Sequence, residues 1–180
     1  MAVCDAVHFP PMLKLWAEYV ILSNPVPGPL LGLILAILAP GAVLAQQCKG
    51  PVAPFLVQDG GIQAPLCGLI GDVGRGRALV AGRQGNCLAC HAAPIPEQAF
   101  HGDIGPPLHG VARRRSAAEL RLQVVDAGQL NARTVMPPFH RVAGLTGVRP
   151  DRIGHPLLTA AEVEDVIAYL LTLDGKPARQ

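Results

Sequence analysis

The sequence predicts an all-α fold for residues 72–180, and three observations carry that reading. Two capping boxes, Ser116-Ala117-Ala118-Glu119 and Thr159-Ala160-Ala161-Glu162, each open a stretch with apolar residues at helical spacing. No credible strand run stands between the helices. Aromatic residues make up only 4% of the 180, which is thin for an ordinary core and leaves volume for a buried group that is not a side chain.

Taken in order, Asp72 caps a first helix from Val73, with Gly76, Leu79 and Val80 on one side and an end near Gly82. Ser116 opens the second, with Ala117, Leu120, Val124 and Val125 facing inward and an end between Asp126 and Gly128. The clearest helix is the last. Val163, Val166, Ile167, Leu170 and Leu171 recur at i, i+3, i+4, i+7 and i+8 after the Thr159 cap, and Gly175 and Pro177 stop it.

Residues 1–45 are expected to be an export signal rather than part of the fold. Leu30 to Ala39 is apolar except for Gly32, too short to span a bilayer, and ends in Val43-Leu44-Ala45, which suits cleavage before Gln46. Pro25, Pro27 and Pro29 separate this run from the apolar Trp16 to Leu22 stretch. Asp5 and Glu18 sit ahead of the run with only Lys14 in opposition, so the true start is expected at Met12 rather than Met1. Export places the mature chain in the periplasm, an oxidising compartment. Removing Cys4 leaves four cysteines, of which Cys48 and Cys67 are the spare pair, expected as a disulfide within a Pro/Gly-rich extension over residues 46–71. The alternative is two buried free thiols.

The other two cysteines belong to Cys87-Leu88-Ala89-Cys90-His91, whose C-x-x-C-H pattern suits covalent attachment of one haem c. Two thiols add across the porphyrin vinyl groups and the adjacent imidazole reaches iron from one face. A zinc site needs about four ligands. A thioredoxin-type pair wants a βαβ context, and a simple local disulfide has no use for the histidine. Net charge is +2 with both signs mixed, which gives no electrostatic case for nucleic acid.

For the second axial position the candidates are Met136, His101, His109, His140 and His155, or an open site. Met136 is favoured: it is the only methionine after the cleavage point, and Pro137 and Pro138 stiffen its loop. His109 is the runner-up. Pro106 is expected to offer its carbonyl to the outer nitrogen of His91, which would put the Gly105 to Gly110 segment, and His109 with it, on the proximal side. The remaining histidines are expected to be solvated. Arg113-Arg114-Arg115 is expected as a solvated basic turn, with an acidic partner surface as the alternative.

With Gly71-Asp72, Gly76, Leu79, the C-x-x-C-H run, Gly105-Pro106-Pro107-Leu108, Met136-Pro137-Pro138 and the helix bearing Tyr169-Leu170, the chain resembles a class I cytochrome c. That resemblance implies a haem domain over residues 72–180 behind an N-terminal extension, with Gly76 letting the first helix cross the last closely near Tyr169. Within the class it resembles the SoxX family, monohaem subunits of the SoxAX thiosulfate-oxidising cytochromes. The match runs through Gly85 to His91, Gly102 to Leu108, Leu120 to Ala127, Thr134 to Phe139 and Leu158 to Leu171.

The resemblance implies a role as well as a fold. SoxAX acts as an L-cysteine S-thiosulfotransferase, joining thiosulfate oxidatively to a cysteine of a carrier protein. The bond-making chemistry lies on a SoxA-type cytochrome subunit, and the SoxX subunit of the heterodimer accepts electrons for a downstream acceptor. On that reading Cys87, Cys90, His91 and Met136 bind the haem, His91 and Met136 are the metal ligands, and this chain carries no catalytic residue of its own. The alternative is a freely diffusing periplasmic electron-transfer cytochrome c without a SoxA partner.

Overall fold

The computed structural model describes residues 48–175; the expected signal peptide, its cleavage point and the alternative start lie outside the described residues. Helix α1, Val73–Ala81, begins where the Asp72 carboxylate accepts from the Arg75 N–H. A short α2, Val111–Arg114, was not foreseen in the sequence; α3, Ala117–Asp126, and α4, Ala160–Thr172, open on the two expected capping boxes with both reciprocal bonds made. Helix α4 stops at Thr172, three residues before Gly175, which takes the left-handed φ of 79°.

The crossing of α1 and α4 is set by the absence of a side chain. A Cβ at Gly76 would run into the backbone carbonyl of Asp165 and stand 2.9 Å from Tyr169 Cβ, so any larger residue would push the helices apart. The crossing is tied by charge as well: Arg75 Nε and Nη2 donate to the two Asp165 carboxylate oxygens at 2.7 and 2.8 Å, and the Asp72 N–H donates to Oδ1 at 2.6 Å. Val80, Val163, Val166, Ile167 and Leu170 close over the contact, all at 5% exposure or less. Tyr169 is buried at this crossing, whereas Leu171, expected to face inward, is exposed.

The extension departs from the all-α expectation. Val57–Gln58 (β1) and Gly61–Ile62 (β2) pair antiparallel, Val57 opposite Ile62 and Gln58 opposite Gly61. Asp59 and Gly60 between them have φ of 49° and 73°, the paired positive angles of a type I′ hairpin turn. The described chain is therefore helix-rich with one small two-stranded ribbon, and residues from 72 onward contain no strand among those described.

This segment is built into the core. Ala53, Ile62 and Leu66 are buried with the helices' apolar faces, each full burial contributing about 1.5–3 kcal/mol for the larger side chains. Cys48 and Cys67 form a disulfide, Cα atoms 5.7 Å apart. A buried ion pair then fastens the ribbon: Arg121 on α3 donates through Nε and Nη2 to Glu164 on α4 at 2.7 and 3.0 Å. Arg121 Nη1 donates to the Ile62 carbonyl at 2.7 Å, and the Leu66 N–H donates to Glu164 Oε1 at 2.8 Å. Two charges with 5% and 4% of their side chains exposed are tolerated because nearly every polar atom they present has a partner. No helix among the described residues is long and apolar enough to cross a membrane.

Candidate functional site

Asn86, at φ 51°, turns the chain out of α1 into a single 3₁₀ turn, Cys87–Ala89. The Cys90 and His91 N–H groups both donate to the Cys87 carbonyl, at 3.1 and 2.9 Å. One tight turn therefore gathers two thiols and an imidazole. Both thiols are free and partly buried, and burial pushes the Cys87 thiol up to about 11.

His91 is oriented from behind. Its Nδ1–H donates to the Pro106 carbonyl at 2.7 Å, as the sequence led us to expect, which leaves the lone pair on Nε2. The segment bearing that carbonyl lies against the ring: a Cβ at Gly105 would stand 2.6 Å from Nδ1 and 2.8 Å from Nε2, so glycine is required there. Backbone bonds from Gly105 N–H to Cys90 O and Leu108 N–H to Ala92 O, both 2.8 Å, hold the two strands of chain together.

Arg114 completes the brace. Its Nη2 and Nη1 donate to the Pro107 and His109 carbonyls at 2.6 and 2.8 Å. The three-arginine run is thus not simply solvated: Arg114 clamps the loop that orients His91, and Arg115 pairs with Glu119 at 3.2 Å. Sequence reasoning missed this role because three adjacent arginines look alike until a fold points one of them at carbonyls.

Met136 is partly buried and packs against the core, its N–H donating to Thr134 Oγ1 at 3.1 Å. Two bonds land the following residues on α3: Phe139 N–H to Val124 O and His140 N–H to Val125 O, both 3.1 Å. The competing histidines fare differently. His140, expected to be solvated, is 1% exposed, with Nε2 accepting from the Ala53 N–H at 2.8 Å and Nδ1–H donating to the Leu158 carbonyl at 2.7 Å. Both its nitrogens are committed, so it has no lone pair for iron. His109 and His155 are exposed, and His101 lies on the His91 side, its Nδ1 facing the Ala93 N–H at 3.4 Å.

The residues present fit a covalently attached haem. Two free thiols stand on one turn, the neighbouring imidazole has its outer N–H spent on a carbonyl, and Gly105 leaves the ring the room it occupies. Ile104 and Val135, next to Gly105 and Met136, are 68% and 79% exposed, apolar side chains standing outward at both segments. A separate cavity of about 330 Å³, lined by Val142, Leu145, Val148 and Arg152 to His155, includes none of these site residues.

Comparison with known proteins shows the family. The cytochrome c family model matches residues 73–174. A chain of the crystal structure of SoxXA from P. pantotrophus superposes with a TM-score of 0.62 at 33% identity, covering 67% of this chain and 94% of that one. A cytochrome c-553-like protein of Synechocystis is 43% identical over 58 residues, 32% of this chain; the match spans about half, 48%, of that protein's length.

Proposed function

The chain belongs to the cytochrome c family, electron-transfer proteins with covalently bound haem c, and from that premise we propose that it is the SoxX-type subunit of a SoxAX complex. It carries one haem and works in the periplasm beside a SoxA-type cytochrome. During oxidative joining of thiosulfate to a carrier-protein cysteine it accepts the released electrons and passes them to a downstream acceptor. The similarity over 94% of a SoxXA chain is the observation that supports this reading above that of a free carrier.

Within this chain, Cys87 and Cys90 would hold the haem by thioethers, and His91 and Met136 would bind its iron. The haem, when bound, supplies a one-electron iron couple. The protein's own contribution is positional. Pro106 fixes the His91 tautomer, Gly105 lets that segment lie against the ring, and Arg114 braces the loop through the Pro107 and His109 carbonyls. The Met136 loop presents a soft thioether, which favours reduced iron and a relatively high potential. With both residues bound, no position would remain on the iron for substrate, so the chain would relay electrons and the bond-making chemistry would belong to the partner.

The test is Met136→His in the assembled complex. It should keep a low-spin, six-coordinate haem, lower the reduction potential and slow thiosulfate-dependent electron flow, with the partner subunit still bound. Rapid carbon monoxide binding by the wild-type ferrous protein would overturn the closed site. Purification from the native source as a monomer, with no second cytochrome, would favour the freely diffusing carrier instead.

A further inference from the structure

Gln123 is a polar residue on α3 between two buried ones, Leu122 at 1% and Val124 at 5% exposure. It is half-buried, and its Nε2–H donates to Met136 Sδ at 3.5 Å, reaching 13 residues along the chain. Thioether sulfur is a weak acceptor, so this bond contributes little to stability. The contact is nevertheless well fixed. The bonds from Phe139 and His140 to the Val124 and Val125 carbonyls set the register of the methionine loop on the same helix, directly after Gln123. The Thr134 hydroxyl holds the Met136 N–H from the loop side.

We propose that Gln123 is a positioning residue that raises the reduction potential of the haem iron by hydrogen-bonding the Met136 sulfur. The proposal rests on the reading of Met136 as axial ligand. Thioether sulfur has two lone pairs; with one on iron, the other remains for the Gln123 amide. A donor at that second lone pair draws electron density away from sulfur and weakens its donation. Ferric iron, which needs the donation more, is destabilised relative to ferrous iron. The amide N–H therefore biases the couple toward reduction without placing a charge in the site, which suits a subunit whose task is to accept electrons.

The experiment compares haem-loaded wild type with Gln123→Leu, which keeps volume on α3 and removes the donor. The readouts are the midpoint potential and the sulfur-to-iron charge-transfer band of the ferric protein. The expected result is a retained band with a several-fold loss in the equilibrium constant for reduction, up to about tenfold, which is about 59 mV for one electron. Gln123→Met, with similar reach and no N–H, is read by the same criteria should the leucine variant fail to fold. An unchanged potential with the band retained would overturn the proposal while leaving Met136 as ligand. Absence of the band from the wild type would overturn the ligand assignment itself, and the proposal with it.

Discussion

His140→Phe tests whether the disulfide-closed extension and the methionine loop are joined in the way the hydrogen bonds imply. The substitution fills similar space but leaves the Ala53 N–H and the Leu158 carbonyl without partners. Those residues are 3% and 1% exposed, so water does not readily replace the ring. Each orphaned backbone group costs about 1–3 kcal/mol, giving a loss of about 2–6 kcal/mol. Against the roughly 5–15 kcal/mol of a typical domain, that is a large fraction. His140→Gln retains an acceptor for Ala53 and gives up only the Leu158 bond, so about half the loss is expected. Urea unfolding of the haem-loaded protein gives the energies, and amide hydrogen exchange locates them: the Ala53 N–H should lose protection in the phenylalanine variant and keep it in the glutamine variant. A cost under about 1 kcal/mol for His140→Phe, with Ala53 still protected, would refute the reasoning.

Two further outcomes follow from the same core. The Arg75 guanidinium, hydrogen-bonded to Asp165, holds that carboxyl below its ordinary value, with the Asp72 N–H assisting against burial. A lowered folded value means stability that is present above the ordinary carboxylate range and is lost as pH falls through the lowered one. Asp165→Asn should therefore flatten the decline in urea midpoint from about pH 5 downward. Replacing Cys48 and Cys67 together by serine opens a loop with a sequence separation of 19, and the unfolding free energy should fall by about 3 kcal/mol on the chain-entropy estimate. Peptide mapping without reductant should recover the two cysteines as one linked species.

The helices were legible because their signals are local. A Ser or Thr followed three residues later by Glu closes a capping box within four residues, and α3 and α4 begin where those motifs stand. The C-x-x-C-H run was legible for the same reason, since one turn is enough to gather its three side chains. Asp59-Gly60 is also a local signal, the dipeptide that favours a type I′ hairpin; the Pro/Gly-rich surroundings hid it, and the ribbon was missed. The short α2 follows a left-handed Gly110 with no side-chain cap, so nothing in its four residues announced it.

What the sequence by itself determined is the chemistry offered at each position: two thiols and an imidazole on one turn, a thioether in a stiff proline loop, the helix starts, and glycine where α1 meets α4. What only the tertiary structure decided is which polar groups meet across long stretches of chain. Arg121 finds Glu164 43 residues away and Ile62 59 residues away, and Ala53 finds His140 across 87. Burial of polar groups is stable only when their bonding capacity is met, and that condition is a property of the packed whole. Histidine, arginine and glutamine are the same letters whether solvated or committed. Their places as latch, brace and hydrogen-bond donor to the Met136 sulfur exist only once α3, α4 and the extension have closed around them.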